Sequence, residues 1–354
     1  MDPIKEALTF DDVTLAPKFS NVLPSDVITD TVLSYKLNLK IPLITSAMDT
    51  VPEARMAIAV AKAGGLGVIH RNMSIIDQIS EIKKVKSKKL IVGAAVGAGD
   101  NELQRAKAIL KNKVDLIVVD TAHGHTKKVA DTIKRIIKIK PKNISLCAGN
   151  VATAEAARFL IKLGVNIIKV GIGPGSICTT RLVAGIGVPQ LSAILNVRSG
   201  INKKNISIIA DGGIKFSGDI AKALAAGADA VMIGSLFAGT DEAPGKIVKR
   251  SGKLYKSFRG MGSIGAMNRG SADRYFQKKQ KIKSKYVPEG VEGYVKYKGK
   301  VEKIFYQLIG GLKSSMGYLG AKKIKILRKN PKFVKITKAG FYESMVHNID
   351  EIKK

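Results

Sequence analysis

The chain has 354 residues, 45% of them hydrophobic, and a formal net charge of +32. That length can bury a full core and favours one large α/β domain over several small ones. The sequence contains no run of about 18 apolar residues, and its N-terminal segment MDPIKEALTF lacks the basic and apolar regions of an export signal. We therefore expect a cytoplasmic protein with no membrane segment.

Two cysteines, Cys147 and Cys178, are too few for a disulfide framework and lack the spacing of a metal site. Each is therefore either a small buried residue or a reactive thiol. The 60 Lys and Arg residues are spread along the chain rather than gathered in an arm or stripe, which favours a solvated basic surface. A nucleic-acid-binding protein stays as an alternative from a different functional class.

Eight short runs rich in β-branched residues recur along the chain. They are IPLITSAM, GLGVIH, LIVGAAVG, VDLIVVDT, ISLCAGNV, VNIIKVGIG, ISIIADGG and ADAVMIGS. Apolar residues spaced by about 3.6 positions predict helices over 52–63, 101–111, 126–139, 153–163 and 217–226. Alternating strands and helices in this number predict a (β/α)8 barrel, with residues 1–354 as a single catalytic domain. A doubly wound sheet would need fewer repeats and a glycine-rich turn after its first strand, where this chain reads SAMDT.

A long segment follows the eighth run and contains RGMGS, DRYFQ and VPEGVEG. Its glycines and charges predict a flap over about 260–300, followed by a C-terminal extension.

The glycine-rich segment VGIGPGSICTTRLVAGIGVPQ presents Cys178 next to two threonines and an arginine, after a predicted strand. Backbone N–H groups and cations stabilise a thiolate, so this loop favours a nucleophilic cysteine. Cys147 lies within the apolar run ISLCAGN and is expected to be buried.

Two further segments, IADGGI and IGSLFAGT, place Asp211, Gly213, Gly234 and Ser235 at the ends of consecutive strands. Barrels commonly bind phosphate there, through backbone N–H groups that glycine leaves accessible. Asp211 can then accept hydrogen bonds from ribose hydroxyls.

Ten segments occur in the order seen in bacterial IMP dehydrogenases. They are SAMDTV, AHGH, CAGNVAT, GIGPGSICTTR, IGVPQ, ADGGIKFSGDI, GSLFAGTDEAPG, RGMGS, DRYFQ and VPEGVEG. The chain resembles this family over nearly its whole length. The resemblance implies an NAD-dependent oxidation of inosine monophosphate (IMP) to xanthosine monophosphate (XMP) in guanine nucleotide synthesis, performed by a homotetramer.

By this resemblance, Cys178 would attack C2 of the hypoxanthine ring, a hydride would pass to the nicotinamide, and water would release the covalent intermediate. The implied catalytic residues are Cys178, Thr180, Arg274, Tyr275 and Glu289. Arg274 would be the base for the water, which requires a setting that favours neutral guanidine.

The resemblance also implies three sets of binding residues. IMP would contact Ser46, Met48, Ser176, Asp211, Gly212, Gly213, Gly234, Ser235, Met261, Gly262 and Glu289. NAD would contact Asp120, Thr121, Ala122, His123, Asn150, Gly171 and Gly173. A potassium ion would be held by the backbone carbonyls of Gly173, Gly175 and Cys178, and by carbonyls near the partner subunit's Glu343.

Two departures from the family pattern stand out. Phe258 occupies the position before RGMGS where the family usually has Tyr, so one hydrogen bond to the phosphate should be missing. The segment EIKKVKSKKLIVGAAVG runs through residues 86–90, where most members insert two CBS motifs, so allosteric control by nucleotides should be absent. GMP reductase, which shares the cysteine loop and lacks that insert, is the nearest alternative, but it lacks the Arg-Tyr pair and RGMGS.

Overall fold

The computed structural model describes residues 4–202, 205–280 and 282–347. Eight parallel strands in this part of the chain form one sheet. They are β1 (Leu43–Thr45), β2 (Val68–Ile69), β3 (Gly93–Val96), β4 (Leu116–Asp120), β5 (Ser145–Val151), β6 (Ile167–Val170), β7 (Ser207–Asp211) and β8 (Ala230–Ile233). β8 pairs with β1, and a parallel bridge between Ile44 and Leu66 closes the sheet into a barrel. The eight predicted strands and the (β/α)8 fold are confirmed.

Eight longer helices among the described residues surround the barrel. They are α1 (Ala54–Lys62), α2 (Ile75–Lys86), α3 (Asp100–Lys111), α4 (Lys127–Ile139), α5 (Ala154–Lys162), α6 (Gln190–Ser199), α7 (Ser217–Ala225) and α8 (Val301–Tyr318). The side chains of Ser74, Thr126 and Thr153 cap α2, α4 and α5 by accepting from the backbone N–H three residues later. The five predicted helices are present with ends within two residues of the prediction, but the predicted set lacks α2, α6 and α8.

The interior of the barrel is filled by apolar residues at alternate strand positions. Val118, Ile167 and Ile209 belong to this buried cluster, together with leucines of the hairpin Thr31–Ser34 and Leu37–Leu39. Because side chains alternate along a strand, the residues two positions later also point inward, at the carboxyl end of the barrel. These residues are Asp120, Lys169 and Asp211.

The predicted flap begins and ends in paired strands. Strands Ile247–Arg250, Lys253–Arg259 and Glu292–Lys296 form an antiparallel sheet, and the flap turns, including the one-turn helix Ala272–Tyr275, lie between the last two. Residue 281 of the flap lies outside the described residues. α8 follows and packs against α7 and α1 as the eighth outer helix.

The remaining strands and the last helix lie near the chain ends. Strand Val13–Leu15 pairs with Phe333–Lys335, and helix Lys338–Glu343 follows.

α2 leads directly into β3. α2 ends at Lys86 and β3 begins at Gly93. Asp115 holds this short connection, because its carboxylate accepts from Val92 N at 2.8 Å and pairs with Lys86 at 3.0 Å. The connection has the length of an ordinary loop between a helix and a strand.

Candidate active site

Cys178 lies on the loop after β6, at the carboxyl end of the barrel. Its backbone N–H donates to the Gly175 carbonyl at 3.1 Å, and its thiol donates to Thr180 Oγ1 at 3.2 Å. Arg181 folds back across the loop onto two loop carbonyls, and Gly173, with φ +82°, leaves room for it. The half-buried thiol therefore lies beside a hydroxyl and on a loop that also carries a cation, a suitable setting for a nucleophile.

Cys147 differs from Cys178 in its location and its exposure. It lies in β5 inside the barrel with no exposed surface, and burial raises its pKa to about 12. A thiol held neutral in this way is a packing residue.

The inward positions of β4, β6 and β7 form a buried charge cluster. Lys169 Nζ lies 2.8 Å from Asp120 Oδ1 and 2.8 Å from Asp211 Oδ2. Asn150 accepts from Lys169 and donates to Asp211 Oδ2 at 3.0 Å, while Ser46 Oγ donates to Asp211 Oδ1 at 3.4 Å. One lysine faces two carboxylates, so the barrel's part of this cluster carries one net negative charge.

Arg274 of the flap neutralises that charge. Its guanidinium donates to Asp120 Oδ2, and its backbone carbonyl accepts from Ala122 N at 3.2 Å. Burial disfavours ionisation of Asp120, but Arg274 and Lys169 outweigh burial and hold the pKa of Asp120 at about 2. Burial likewise opposes the charge of Arg274, yet Asp120 outweighs it and raises the Arg274 pKa.

Three flap segments meet at the cysteine loop. Thr179 N donates to the Glu289 carbonyl at 3.0 Å, and Glu289 N donates to the Gly262 carbonyl at 3.0 Å. The Tyr275 ring lies against Gly262, where a Cβ would stand only 2.8 Å from Cζ of the tyrosine. Burial raises the pKa of Tyr275 to about 12, so this phenol stays neutral near pH 7.

Arg259 fixes the start of the RGMGS segment to the loop after β1. Its Nε donates to Asp49 Oδ1 at 2.9 Å and its terminal nitrogen donates to Oδ2 at 2.7 Å. Asn72 Nδ2 donates to the same carboxylate at 2.6 Å. Such a bidentate pair specifies both position and orientation.

The pocket extends from Cys178 to the ends of β7 and β8. Gly213, Lys215, Gly234 and Ser235 line this part of it. Gly213 adopts φ +84°, which an L side chain rarely adopts. Backbone N–H groups with a lysine beside them suit a phosphate group. The helix after Gly234, Ser235–Ala238, is only one turn long, so its dipole contributes little to phosphate binding.

Most of the predicted site residues line this one pocket. They are Ser46, Met48, Asp120, Ala122, Asn150, Gly171, Gly173, Gly175, Ser176, Cys178, Thr180, Asp211, Gly212, Gly213, Gly234, Ser235, Met261, Arg274, Tyr275 and Glu289. Their individual roles stay predictions.

Three predicted residues do not line the pocket. Thr121 is buried, and its hydroxyl donates to the Gly149 carbonyl at 2.7 Å, so it supports the neighbouring strand. His123 is exposed, with its ring 6.3 Å from that of His125. Gly262 packs beneath Tyr275.

Sequence reasoning missed Lys169, Gln190 and Lys215, which also line the pocket. Lys169 interrupts the apolar run VNIIKV, and a charged residue at an inward strand position signals a site because a buried charge needs partners. Gln190 Nε2 donates to the carbonyls of Val170 at 2.9 Å and Asp211 at 3.1 Å, and so joins two strand ends.

No cluster of three or more His, Cys, Asp or Glu side chains placed to hold a metal ion occurs in 4–202, 205–280 and 282–347. No helix within those same ranges is long and apolar enough to cross a membrane.

A closed parallel barrel with a cysteine loop, a glycine-lined pocket and a flap at its carboxyl end is the arrangement of a (β/α)8-barrel enzyme. A sequence profile described as "IMP dehydrogenase / GMP reductase domain" matches residues 7–347. The chain therefore belongs to the IMP dehydrogenase / GMP reductase family.

Curated relatives agree with this assignment. The chain is 48% identical to an inosine-5'-monophosphate dehydrogenase of Borreliella burgdorferi over 98% of each chain. It is 47% identical to that of Cryptosporidium parvum, over 99% of this chain and 97% of the relative. The dehydrogenase of Bacillus subtilis is 39% identical over 99% of this chain and 97% of its own, in an alignment of 478 residues. That alignment is longer than the 354 residues of this chain, so the Bacillus relative contains additional internal residues.

Proposed function

We propose that this chain oxidises IMP to XMP with NAD through a covalent bond to Cys178. The observation that carries the proposal is that Arg274 and Tyr275 of the flap line the same pocket as Cys178. The curated relatives reported above carry the dehydrogenase name. GMP reductase, which would convert GMP to IMP with NADPH, shares the cysteine loop by resemblance but lacks this Arg-Tyr pair and RGMGS.

The pocket fits a purine mononucleotide. Backbone groups of Gly213, Gly234 and Ser235 would hold the phosphate, and Asp211 would accept from the ribose hydroxyls. Met261, with Gly262 beside it, would contact the base through the backbone. The buried Phe258 lines the pocket without offering a hydroxyl to the phosphate.

NAD would supply a nicotinamide ring that accepts a hydride from C2 of IMP. The residues that would hold it are Asp120, Ala122, Asn150, Gly171 and Gly173, and the Asp120 carboxylate suits ribose hydroxyls. Arg274 pairs with the same carboxylate in this structure. The flap turn and the cofactor would therefore use Asp120 at different stages of the reaction.

The reaction balances in two steps. The Cys178 sulfur would form a bond to C2 as its proton leaves, and the cofactor, when bound, would accept the C2 hydrogen together with its electron pair. A water oxygen would then bond to C2 as the C2–S bond breaks, with one water proton returning to the Cys178 sulfur and the other staying on the product, so the one proton lost in the first step is the net release. Thr180, which accepts the Cys178 hydrogen bond at 3.2 Å, and Glu289, which lines the same pocket, would take part in the proton transfers.

The pairing of Arg274 with Asp120 works against a neutral arginine. Because Asp120 raises the pKa of Arg274, the guanidinium in this arrangement is a donor and a cation. We therefore assign Arg274 the task of orienting water and stabilising negative charge as the C2–S bond breaks. An arginine base would first have to leave Asp120.

A monovalent cation such as potassium would bind the backbone carbonyls of Gly173, Gly175 and Cys178. The Gly175 carbonyl already accepts from Cys178 N, and its second lone pair is available to a cation. A homotetramer and a single catalytic domain over 1–354 complete the proposal as predictions.

The test is cofactor absorbance with the purified chain. IMP, NAD and potassium should yield NADH, and the Cys178→Ala variant should yield none, whereas the matched Cys147→Ala variant should stay active because Cys147 lies outside the pocket. NADPH consumption with GMP, and no NADH formation with IMP, would establish the reductase instead. Silence in both assays, with single-stranded DNA retention that falls steeply with salt, would establish the nucleic-acid-binding alternative.

A further inference from the structure

We propose that Arg71 is a positioning residue for the flap: it binds Asp273 and thereby holds the adjacent Arg274 in the pocket. The inference rests on the proposed function, because it identifies a residue that controls the hydrolytic half of that reaction.

Asp273 and Arg274 are consecutive residues of the turn Ala272–Tyr275, yet their side chains bind different parts of the barrel rim. Arg274 binds Asp120 at the end of β4. Asp273 Oδ1 accepts from the terminal nitrogen of Arg71, just after β2, at 2.9 Å. Two adjacent ion pairs with separate partners fix both the position and the rotation of the turn.

Arg71 is held in place by residues of the barrel and its outer helices. Its side chain is 8% exposed, and a Cβ on Gly97 would stand 2.8 Å from its Cζ, so the backbone there leaves room for the guanidinium. Glu102 lies 4.0 Å from Arg71 and 3.4 Å from Arg105. Arg105 in turn donates to Gln78 at 2.8 Å.

The cluster of Arg71, Glu102 and Arg105 carries an excess positive charge that a carboxylate can neutralise. Arg71 and Arg105 bring two positive charges, and Glu102 brings one negative charge, so one positive charge is left when the flap is away. The Lys169 cluster has the opposite imbalance. A flap turn that presents a carboxylate followed by a guanidinium neutralises both, and an unpaired buried charge is unfavourable.

Loss of the Arg71–Asp273 pair should therefore lower the fraction of time that Arg274 spends at Asp120. Hydride transfer to the cofactor requires Cys178 and the cofactor but not a docked flap. Release of the covalent intermediate requires Arg274. The two halves of the reaction should thus respond differently to the same substitution.

The decisive variant is Asp273→Asn, because it is isosteric and lies on the flap, where the side chain is 35% exposed and the barrel is not disturbed. First-turnover NADH formation should be unchanged, steady-state turnover should fall about tenfold, and intact-protein mass should show more nucleotide adduct on the enzyme. Hydrogen–deuterium exchange of the peptide covering 272–277, measured without substrate, should become faster.

Arg71→Gln should reproduce these effects, and the double variant should be no worse than either single one, because both changes remove the same contact. Arg71→Lys, which keeps the charge, should be intermediate. Asp131→Asn removes a carboxylate from an exposed position on α4 and is the matched control, with no change expected.

Equal losses in first-turnover and steady-state rates, additive effects in the double variant, or unchanged exchange over 272–277 would each overturn the proposal. The exchange measurement needs no activity. A chain that forms no NADH but shows faster exchange in Asp273→Asn would reject the proposed function and keep the flap contact.

Discussion

Lys169 remains charged at 1% side-chain exposure because it lies between two carboxylates that are themselves buried. Burial alone would lower its pKa, but Asp120 and Asp211 outweigh burial and raise it. The lysine in turn keeps both carboxylates available as hydrogen-bond acceptors for hydroxyls or for Arg274. A neutral residue here would leave two buried negative charges facing each other, which is costly.

The Phe258→Tyr substitution should improve IMP binding. Phe258 is buried, lines the pocket and has no hydroxyl. A hydrogen bond to a charged group contributes about 1.5–3 kcal/mol, so the KM for IMP should fall about tenfold or more while kcat changes little. Steady-state kinetics with varied IMP measure this. An unchanged KM would mean that another group, such as Lys215, already satisfies the phosphate.

The thiol of Cys147 should make the chain less stable as the pH rises above about 8.5, the ordinary cysteine pKa. The folded chain keeps this proton up to a pKa of about 12, whereas the unfolded chain loses it earlier. The unfolded state then binds fewer protons, so the free energy of unfolding falls by up to about 1.4 kcal/mol per pH unit.

Urea unfolding of the original chain and of Cys147→Ala, compared from about pH 7 to about pH 11, isolates this effect, since all other groups titrate in both. The original chain should lose stability more steeply. Parallel curves for the two proteins would contradict the assignment.

At the scale of elements, α8 completes the outer ring only because it comes very close to α7. A Cβ on Gly311 would stand 2.1 Å from Ser217 Oγ, whereas a Cβ on the preceding Gly310 would meet nothing within 4 Å. Both glycines lie within the same helix and differ mainly in what faces them.

Gly310→Ala should therefore stabilise the chain by about 0.5–1 kcal/mol, the gain in helix propensity. Gly311→Ala should destabilise it by about 1–3 kcal/mol, because α8 must move away from α7. Urea unfolding measures both. Adding Ser217→Gly to Gly311→Ala should recover much of the loss, and a stabilising Gly311→Ala would mean that the helices are not in close contact.

Strands were easier to predict from this sequence than helices, for a physical reason. Each barrel strand is buried on both faces, so it forms a compact apolar run such as LIVGAAVG. The apolar residues of α6 lack a clear helical spacing, so its sequence does not predict a helix. The second half of α2 is rich in lysine, so its apolar spacing is hard to recognise.

Site residues that directly follow a strand could be predicted from the sequence. Residues whose role depends on a contact with another segment of the chain could not. Cys178, Asp211 and Gly213 stand directly after apolar runs. The role of Lys169 is recognised only in the folded structure, where β4 and β7 place carboxylates on either side of it. Likewise, the role of Arg71 cannot be predicted from the sequence, because it depends on the contact with Asp273 of the flap.

Over the whole molecule, the 60 basic residues outnumber the 28 acidic ones. Several of the acidic side chains are buried and form ion pairs with basic residues. Asp49, Glu102, Asp120 and Asp229 each neutralise the charge of a buried or half-buried arginine. Much of the remaining positive charge therefore faces solvent, where it attracts phosphorylated substrates and is screened by salt.

Adenine and guanine nucleotides should leave the catalytic parameters of this chain unchanged at concentrations that do not compete with IMP. α2 runs into β3 through a short loop held by Asp115, so the position where most family members insert CBS motifs contains no inserted domain. Initial rates at fixed NAD and varied IMP, with and without ATP or GTP, measure this.

A purely competitive rise in the KM for IMP, with kcat unchanged, fits a nucleotide that binds in the active-site pocket, because the pocket accepts phosphate and purine. A change in kcat, or a sigmoidal dependence on IMP, would require a second nucleotide site. Such a site would have to lie on the barrel itself or between subunits, since the loop after α2 offers no surface large enough to bind a nucleotide.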